Sequence, residues 1–495
     1  MTAEINWLSL SVFIGFFVLV TAMGFFASRW KRADVPAHLD EWGLGGRQFG
    51  TWVTWFLVGG DFYTAYTVIA VPALVYAVGS YGFFALPYTI IVYPIVFLIM
   101  PKLWTVAHAK GHVTAADVVH ARYGSRGLEL AVAFTGVLAT MPYIALQLIG
   151  MQVVIQALGL KGELPLIAAF LILAIYTYSS GLRAPALIAF VKDIMIYIVV
   201  LVAVAIIPIK LGGYAAVFDA ADKVYAAKGG ATGLTLAPSQ YWPYATLALG
   251  SAMAAFMYPH TLTGIFASKS ADTIRKNAIL LPVYTLLLGL IALMGYMAHA
   301  AGVKVTSNND VVPALFRSLF SDWFVGFAFA AIAIGALVPA AVMSIGAANL
   351  FTRNFWKAYV NPQVTHAGEA QVAKITSLLV KVGALMCILF LPTQFALDLQ
   401  LLGGLWILQT FPAVVFGLFT RWFRASGLLL GWIIGFLGGT YVVWTDGLKP
   451  LHAISFSGST YLIYIGLLAL LVNVVVAVVA SAILNATTAS APAEP

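Results

Sequence analysis

The sequence predicts an all-α integral membrane protein with thirteen transmembrane helices. Of its 495 residues, 62% are hydrophobic and only 9% are charged, whereas a soluble domain carries roughly 25% charged residues. Apolar runs of about 20 residues, the length that crosses a bilayer as a helix, recur from one end of the chain to the other. Two of these runs are interrupted by glycine or proline, which indicates discontinuous helices.

Thirteen segments qualify as transmembrane helices when spans of about 17 to 30 residues are allowed. In chain order they are 7–28, 49–79, 83–107, 127–159, 164–180, 185–209, 240–266, 274–301, 323–352, 373–391, 395–417, 422–444 and 459–485. The first lacks a preceding basic region and a small-residue cleavage site, so we interpret it as a retained helix and not a signal peptide. Residues 1–485 then form a single transmembrane domain, and the polar end, 486–495, is predicted to be disordered.

Composition and motifs exclude several functional classes. The one cysteine, Cys387, excludes an intramolecular disulfide and a cysteine-based metal site. The net charge of +8 is spread over short loops and forms no patch, so we expect no nucleic acid partner. No phosphate-binding loop, paired-histidine motif or kinase signature is present, and no catalytic pair stands at convincing spacing within the spans. The sequence therefore predicts no enzyme.

The distribution of basic residues predicts the orientation. If the N-terminus is outside, the inside loops hold 17 Lys and Arg residues and the outside loops hold 7, with Lys192 and Lys381 inside spans. Cytoplasmic loops retain positive charge. We therefore expect the N-terminus in the periplasm and the C-terminus in the cytoplasm of a bacterial inner membrane.

A carboxylate, Asp61, lies within the second segment, where an ionised Asp costs roughly 2.5–3.5 kcal/mol unless it lines a cavity or has a partner. Gly59 and Gly60 weaken the helix just before it, and Thr64 and Thr67 offer hydroxyls after it. Such an interruption frees backbone carbonyls for a cation and points the positive N-terminus of the next half-helix at an anion. The alternative is an Asp hydrated at the end of a span that starts later.

A second interruption lies in the seventh segment, where Pro259 is flanked by Tyr258 and His260. Broken helices at corresponding positions of two halves indicate an inverted-repeat transporter with its site near the midplane. The spacing fits an extra helix, 7–28, two five-helix repeats, about 49–209 and about 240–417, and peripheral helices, about 422–485. His260 is a candidate substrate donor or proton carrier, and the alternative is a histidine bonded to a helix carbonyl.

Other polar side chains also fall inside spans. Tyr143 and Gln147 lie one turn apart on one face of the fourth helix, which suits either a cavity lining or helix–helix hydrogen bonding. Lys192 and Asp193 are adjacent in the sixth helix, where neighbouring side chains point about 100° apart and need not pair. Lys192 is either functional or snorkels to the membrane surface, and for Lys381 the sequence favours snorkelling.

Six motifs in order along the chain resemble those of the sodium–solute symporter family. They are P-x-x-x-Y-x-x-G at 72–79, VTAADVVHARYGSRG, YPHTLTGIF, NNDVVPALF, AAVMS and LQTFPAVVFGLFTRWFRASGLLLGWIIG. Within that family, GGDFYTAYT and GLRAPALIAFVKD are most similar to the bacterial monocarboxylate permeases, which take up lactate, pyruvate and related short acids. The resemblance implies a leucine-transporter-type inverted-repeat (5+5) core and cation-coupled symport.

The resemblance also implies a Na⁺ site. Backbone carbonyls of Gly60 and Tyr63 would bind the cation from the second segment. The carbonyl of Ala341 and the hydroxyl of Ser344 would complete the site from the ninth. A carboxylate in the sixth helix usually supports this site in the family, and Asp193 is the available one.

The sequence departs from the family at this site. Ile345 stands where the family usually has a second hydroxyl residue, which leaves Na⁺ about four oxygen ligands. Asp193 lies about one turn later than the family spacing and follows Lys192, whose ammonium can occupy the place of a bound cation. One hypothesis is therefore coupling to protons, with Lys192 or Asp193 titrating.

We therefore expect a secondary active transporter that imports short monocarboxylates, with alanine as a further candidate, together with Na⁺ or H⁺ and without another cofactor. The candidate substrate-binding residues are Thr64, Thr67, Tyr143, Gln147, Tyr258 and His260. The candidate cation-binding or coupling residues are Gly60, Asp61, Tyr63, Lys192, Asp193, Ala341 and Ser344. The alternatives are a symporter for another small solute such as an amino acid, whose ammonium Asp61 could receive, and a channel. The expected partners are substrate, cation and lipid bilayer, and the sequence predicts no oligomeric state.

Overall fold

A computed structural model describes residues 4–30, 38–60, 63–390 and 396–489 of the protein, and this part is predominantly helical. The helices of the first half are α1 Trp7–Phe26, α2 Leu39–Leu44, α3 Thr51–Gly60, α4 Val71–Val78, α5 Ala85–Ala109, α6 Ala115–Tyr123, α7 Arg126–Ala157, α8 Leu164–Ser180, α9 Arg183–Lys210 and α10 Tyr214–Lys228. Those of the second half are α11 Tyr241–Ala255, α12 Pro259–Phe266, α13 Ala271–Leu280, α14 Pro282–Ala292, α15 Met294–Ala300, α16 Val311–Leu319, α17 Asp322–Phe351, α18 His366–Phe390, α19 Ala396–Leu408, α20 Gly417–Phe419, α21 Ala425–Thr445 and α22 Ile465–Ala489. Strands β1 Leu451–Phe456 and β2 Ser459–Tyr464 form an antiparallel hairpin.

Nine helices in the described residues are long and apolar enough to cross a membrane. A tenth is counted if Leu397–Leu408 and Pro412–Phe419, which meet at 45°, form one span. Each of the thirteen predicted segments contains helix. The second and seventh are broken, and the fifth, α8, has only 17 residues, so the count of thirteen is not confirmed.

Helix α17 runs through the centre of the molecule. Its most apolar stretch is 94% buried, compared with 33% for α1 and 28% for the last helix. It packs against α1, α7, α9, α12 and α18. Small residues allow this close approach: a Cβ at Gly346 would lie 2.8 Å from the carbonyl of Pro259. The helix that carries Ser344 therefore contacts elements of both halves of the chain.

The thirteenth segment begins later than the sequence predicted. Residues 459–464 form strand β2, and the helix starts at Ile465. The hairpin loop holds two residues with positive φ, Ser457 at 48° and Gly458 at 79°, and this backbone conformation joins paired strands. At the other end α22 reaches Ala489, four residues into the predicted disordered tail, and residues 490–495 lie outside the described part.

Charged and amide side chains meet at one end of the helices, the end predicted to be cytoplasmic. The side-chain amide of Asn354 donates to Asp117 Oδ1 at 2.7 Å and to Glu129 Oε1 at 2.9 Å. Nearby, Arg353 pairs with Glu369 at 2.6 Å, although the Glu369 side chain is only 1% exposed. These bonds join α6, α7, α18 and the turn that continues α17.

Candidate functional site

The second segment is broken, as the sequence predicted. Helix α3 ends at Gly60, and the chain resumes with a π-helical turn at Tyr66–Ala70 that leads into α4. Asp61 lies outside the described residues, so its predicted role stays a prediction. The carbonyls of Gly60 and Tyr63, the predicted cation ligands of this segment, lie at the break, and that of Gly60 accepts the N–H of Tyr63 at 3.1 Å.

Two threonines stabilise the resumption of the helix. The hydroxyl of Thr64 accepts the N–H of Tyr66 at 3.0 Å, and that of Thr67 accepts the N–H of Thr64 at 3.0 Å. The Thr67 hydroxyl also donates to the Thr64 carbonyl at 2.9 Å. Both side chains are buried and face the backbone of the break. Their predicted role as substrate donors stays a prediction, and neither lines the cavity described below.

Helix α7 is hydrogen-bonded to the same break through Gln147. The side-chain oxygen of Gln147 accepts the N–H of Ala65 at 3.0 Å. Its Nε2 atom is buried and has no hydrogen-bond partner among the described residues. One turn earlier, Tyr143 lies on the same helix, as the sequence placed it. Gln147 therefore links a helix of the cavity wall to the first break.

The seventh segment is also broken where predicted. Helix α11 ends at Ala255, α12 begins at Pro259, and Tyr258 between them is extended, with φ −62° and ψ 141°. A residue before proline avoids helical backbone because it clashes with the proline ring. Proline suits the first helical position, since its missing N–H would have no helical acceptor.

A cavity lies beside the second break. It is small, with a volume of about 30 Å³, and its walls come mainly from α3, α5, α7, α11, α12, α19 and the α11–α12 connection. Tyr143, Tyr258 and His260, three of the predicted substrate residues, line it, while Thr64, Thr67 and Gln147 are not in its wall. The rest of the lining is Val58, Tyr88, Val92, Tyr93, Val96, Ala255, Phe256, Thr261, Ile265, Leu281 and Gln400.

Three rings form one wall of this cavity. The centroid of Tyr143 lies 5.1 Å from that of Tyr258 and 5.4 Å from that of His260, and the last two are 5.2 Å apart. The Tyr258 hydroxyl donates to the carbonyl of Gln400 at 3.0 Å, which fixes the ring. His260 is 3% exposed, and its Nδ1 has no hydrogen-bond partner in the described part of the chain.

Gln400 is a cavity residue that the sequence reasoning missed. It is 2% exposed, and its Oε1 also has no partner within the described ranges. Its only signal was an amide inside the apolar eleventh segment, DLQLLGG. With His260 it places unsatisfied polar atoms at an aromatic cavity, and this combination is typical of a small-molecule site.

Lys192 and Asp193 lie on α9, next to the break in the second segment. Both side chains are fully buried, and the Lys192 ammonium lies 2.9 Å from Asp193 Oδ1, so the neighbours do pair. The ammonium also donates to the carbonyl of Gly60 at 2.6 Å and to that of Tyr63 at 3.2 Å. A Cβ at Gly60 would lie 2.7 Å from the Lys192 nitrogen, so a side chain there would displace the ammonium.

The second half of the predicted Na⁺ site lies on α17. Ser344 and Ala341 are fully buried, and the Ser344 hydroxyl donates to the Ala341 carbonyl at 2.8 Å. The carbonyls of Gly60 and Tyr63, however, already bind an ammonium. Na⁺ does not fit this arrangement, because a second cation at the same carbonyls would be repelled by the first.

Tyrosine 284 was also missed by the sequence reasoning. Its hydroxyl donates to Asp193 Oδ2 at 2.8 Å, so the carboxylate has a cation on one oxygen and a neutral donor on the other. The rings of Trp55, Tyr63 and Tyr197 lie within 6 Å of its ring. No signal distinguished it among the 22 tyrosines of the chain.

Lys381 does not snorkel, contrary to the sequence interpretation. Its side chain is 1% exposed within α18, and the ammonium donates to the Ser377 carbonyl at 3.4 Å. Its position well inside a helix that packs against α7 and α17 keeps it from the membrane surface.

Comparison with known proteins agrees with this architecture. Residues 42–435 match the sodium:solute symporter family. A monocarboxylate transport permease protein of Rhizobium johnstonii is 74% identical over 486 residues, which cover 98% of this chain and 99% of the relative. An uncharacterized symporter of Bacillus subtilis, YodF, is 34% identical over 434 residues, 86% of this chain and 85% of the relative.

A solved structure shows the same fold. A Na⁺-coupled sialic acid symporter, in a substrate-bound outward-open state, matches with a TM-score of 0.77 and 14% sequence identity. The match covers 99% of this chain and 100% of that one. The predicted all-α, leucine-transporter-type core with two broken helices is therefore confirmed as the fold class. The chain belongs to the sodium:solute symporter family and is a multi-pass membrane transporter, not an enzyme.

Proposed function

We propose that the protein is a proton-coupled symporter that imports short monocarboxylates such as lactate and pyruvate, with alanine as a further candidate. One observation carries the choice of coupling ion: the Lys192 ammonium binds the carbonyls of Gly60 and Tyr63, where the family resemblance implied Na⁺. The 74% identity to a monocarboxylate permease supports the substrate class.

The chemistry of the cavity suits a small acid. A short monocarboxylate has one charge and a small apolar body, and the cavity offers aromatic walls and few polar atoms. His260 lies in the first turn of α12, where the helix dipole favours an anion. Its Nδ1 can donate to the carboxylate when the ring carries its proton there. A sugar would need many more polar partners than these walls provide.

The proton on Lys192 supplies the coupling in this proposal. With the proton, the Lys192 ammonium donates charge-assisted hydrogen bonds to the carbonyls of Gly60 and Tyr63 and forms an ion pair with the Asp193 carboxylate. When the proton leaves, Lys192 becomes a neutral amine, and its hydrogen bonds to the two backbone carbonyls at the first break weaken. Gln147 then transmits the change, because it joins the far side of the break to the helix that carries Tyr143. Movement of the break thus links the proton to the substrate cavity.

We also propose that the protein lies in a bacterial inner membrane with a periplasmic N-terminus and a cytoplasmic C-terminus. The basis is the excess of basic residues, 17 against 7, in the loops assigned to the inside. Import would then run toward the end where Asn354 and Glu369 form their buried bonds.

Uptake into proteoliposomes under separate gradients tests the proposal. Labelled lactate or pyruvate should accumulate when the outside is acidic and Na⁺ is absent, and a protonophore should abolish the accumulation. Unlabelled alanine and other acids would rank the substrates by competition. Accumulation that requires Na⁺ and ignores the protonophore would instead assign Na⁺ as the coupling ion. Transport that neither saturates nor accumulates would indicate a channel.

A further inference from the structure

A second cavity, with a volume of about 200 Å³, lies between the end of α5, helix α6 and the chain around α20. Three of its lining residues are basic, Lys110, Arg122 and Arg421, and no lining residue in the described part of the chain is acidic. The others are apolar or small: Val106, Val118, Val119, Ala121, Ala413, Val414, Gly417 and Leu418. The three cations come from separate segments of the chain, so the sequence showed no basic patch here.

Arg122 is fixed at the wall of this basic cavity by backbone carbonyls. Its Nε donates to the carbonyl of Gly417 at 2.8 Å, and its Nη2 donates to that of Thr420 at 2.7 Å. A Cβ at Gly417 would lie 3.2 Å from Cγ of Arg122, so α6 and α20 are in close contact. The third guanidinium nitrogen, Nη1, has no hydrogen-bond partner among the described residues and can bind a ligand.

Lys110 and Arg421 add two further positive charges. Both side chains are exposed, and within the described ranges neither forms an ion pair or a side-chain hydrogen bond. Like charges around one cavity repel each other, and an anion bound between them would remove this repulsion. The basic cavity therefore suits an anion better than a cation or a neutral solute.

Exposed aromatic rings place the basic cavity at the membrane surface. Phe419 and Trp422, on either side of Arg421 in the sequence, are 57% and 43% exposed. The ammonium of Lys102 lies 4.3 Å from the ring centroid of Phe419. Aromatic and basic side chains gather at the level of the lipid headgroups. The anion closest to a cavity at this level is the phosphate of a phospholipid.

We propose that the basic cavity binds the headgroup of an acidic phospholipid. Basic pockets between transmembrane helices on the cytoplasmic side bind acidic headgroups. The phosphate would accept a hydrogen bond from Nη1 of Arg122 and pair with Lys110 and Arg421. It would thereby join α5, α6 and the chain around α20. The choice of leaflet depends on the proposed orientation, but the binding depends neither on it nor on the substrate and coupling ion.

Lipid titration of the full chain in an uncharged detergent tests the proposal. Phosphatidylglycerol, which has a net negative charge, should raise the thermal unfolding temperature in a saturable way, because a ligand of the folded state stabilises it. Phosphatidylcholine should have a much weaker effect, since it carries a cation next to its phosphate. Inorganic phosphate at the same concentration should also have little effect, because it lacks the acyl chains that hold a headgroup at the membrane surface.

Lys110→Gln combined with Arg421→Gln removes two cations and leaves Arg122 with its backbone bonds. The half-saturating concentration of phosphatidylglycerol should rise about 25-fold, since each basic residue near an acidic lipid contributes roughly a factor of five. Both residues are exposed, so the lipid-free variant should unfold at the temperature of the unaltered protein. Lys110→Arg combined with Arg421→Lys keeps both charges and should keep the binding.

Lys269→Gln combined with Arg275→Gln is the matched control. Both residues are exposed, they belong to a loop predicted on the same side of the membrane, and neither lines the basic cavity. The control removes the same amount of charge and should leave the half-saturating concentration unchanged.

Three results would overturn the proposal. An equal loss of affinity in the control would mean that the lipid responds only to the net charge of the protein. Equal stabilisation by phosphatidylcholine would mean that the cavity does not select an acidic headgroup. Inorganic phosphate that stabilises the protein as strongly as phosphatidylglycerol would assign the cavity to a soluble anion.

Discussion

Among single residues, the proposed function depends on two side chains. Lys192 is the proposed proton carrier, and His260 is the proposed substrate ligand. The sequence raised both, since an ionisable residue inside a span is costly and usually functional. Their partners could not be predicted in the same way. Tyr284 and Gln400 lie far from them in the sequence, and only packing brings a common tyrosine and a common amide to these sites.

Replacing the ion pair by neutral residues should uncouple transport. We expect Lys192→Met combined with Asp193→Asn to reduce accumulation driven by a pH gradient about tenfold or more, the scale of a typical coupling free energy. Exchange of labelled for unlabelled lactate should persist. The double change avoids an unpaired buried carboxylate, which costs about 3–5 kcal/mol. The comparison is made by uptake and counterflow in the same proteoliposomes.

Lys381→Met serves as the control for this change, because Lys381 is another buried lysine but has no carboxylate bond among the described residues. It should keep pH-driven accumulation. Full accumulation by the double variant would show that the pair does not carry the proton.

His260→Phe should weaken substrate binding. The ring can still pack on Tyr143 and Tyr258, but the Nδ1 atom, which has no hydrogen-bond partner among the described residues, is lost. We expect the KM for lactate to rise about tenfold or more, since a hydrogen bond to a charged group contributes about 1.5–3 kcal/mol. His366→Gln, an exposed change at the start of α18, should leave the KM unaltered. Equal KM values for all three proteins would remove His260 from the site.

At the scale of elements, both breaks were predictable because their causes are local. Gly59 and Gly60 weaken α3 at its end, and Pro259 cannot continue α11. The structure of each break was not predictable from local sequence. The N–H of Ala65 needs Gln147 from another helix. Strand β2 was predicted as helix because 459–464 adjoins a long apolar run.

The contact between α7 and the first break should contribute to stability. Gln147→Leu leaves the buried N–H of Ala65 without its acceptor, which should lower the free energy of unfolding by about 1–3 kcal/mol. Thermal unfolding in detergent, monitored with the same protein at one pH, measures the effect. Gln152→Leu, on the same helix with its amide bonded to Glu163 at the surface, should change the stability by less. Similar losses in the two variants would contradict the assigned role.

At the scale of the whole molecule, apolar patterning determined most of what the sequence predicted. Long runs located the spans, and the basic residues suggested the orientation. Helix α17 is much more buried than the lipid-facing α1. The reason is that small residues of α17, such as Gly326 and Gly346, pack closely against neighbouring elements. Loop helices such as α10 are short and only partly buried, so no long apolar run indicated them.

Cysteine labelling tests the orientation. Cys387→Ser removes the only thiol, and Ala227→Cys or Ala367→Cys then adds one exposed thiol at either predicted side. A membrane-impermeant maleimide should label residue 227 in intact cells and residue 367 only after permeabilisation. The reverse pattern would mean that the N-terminus is cytoplasmic.

If protons move with the substrate through Lys192, lactate entry must carry a proton flux that can be measured. Proteoliposomes with a pH dye inside, in Na⁺-free buffer, are given lactate, and the signal from liposomes without protein is subtracted. We expect internal acidification that follows lactate entry and is absent when Lys192→Met is combined with Asp193→Asn. Lactate entry that needs Na⁺ and leaves the internal pH unchanged would contradict it.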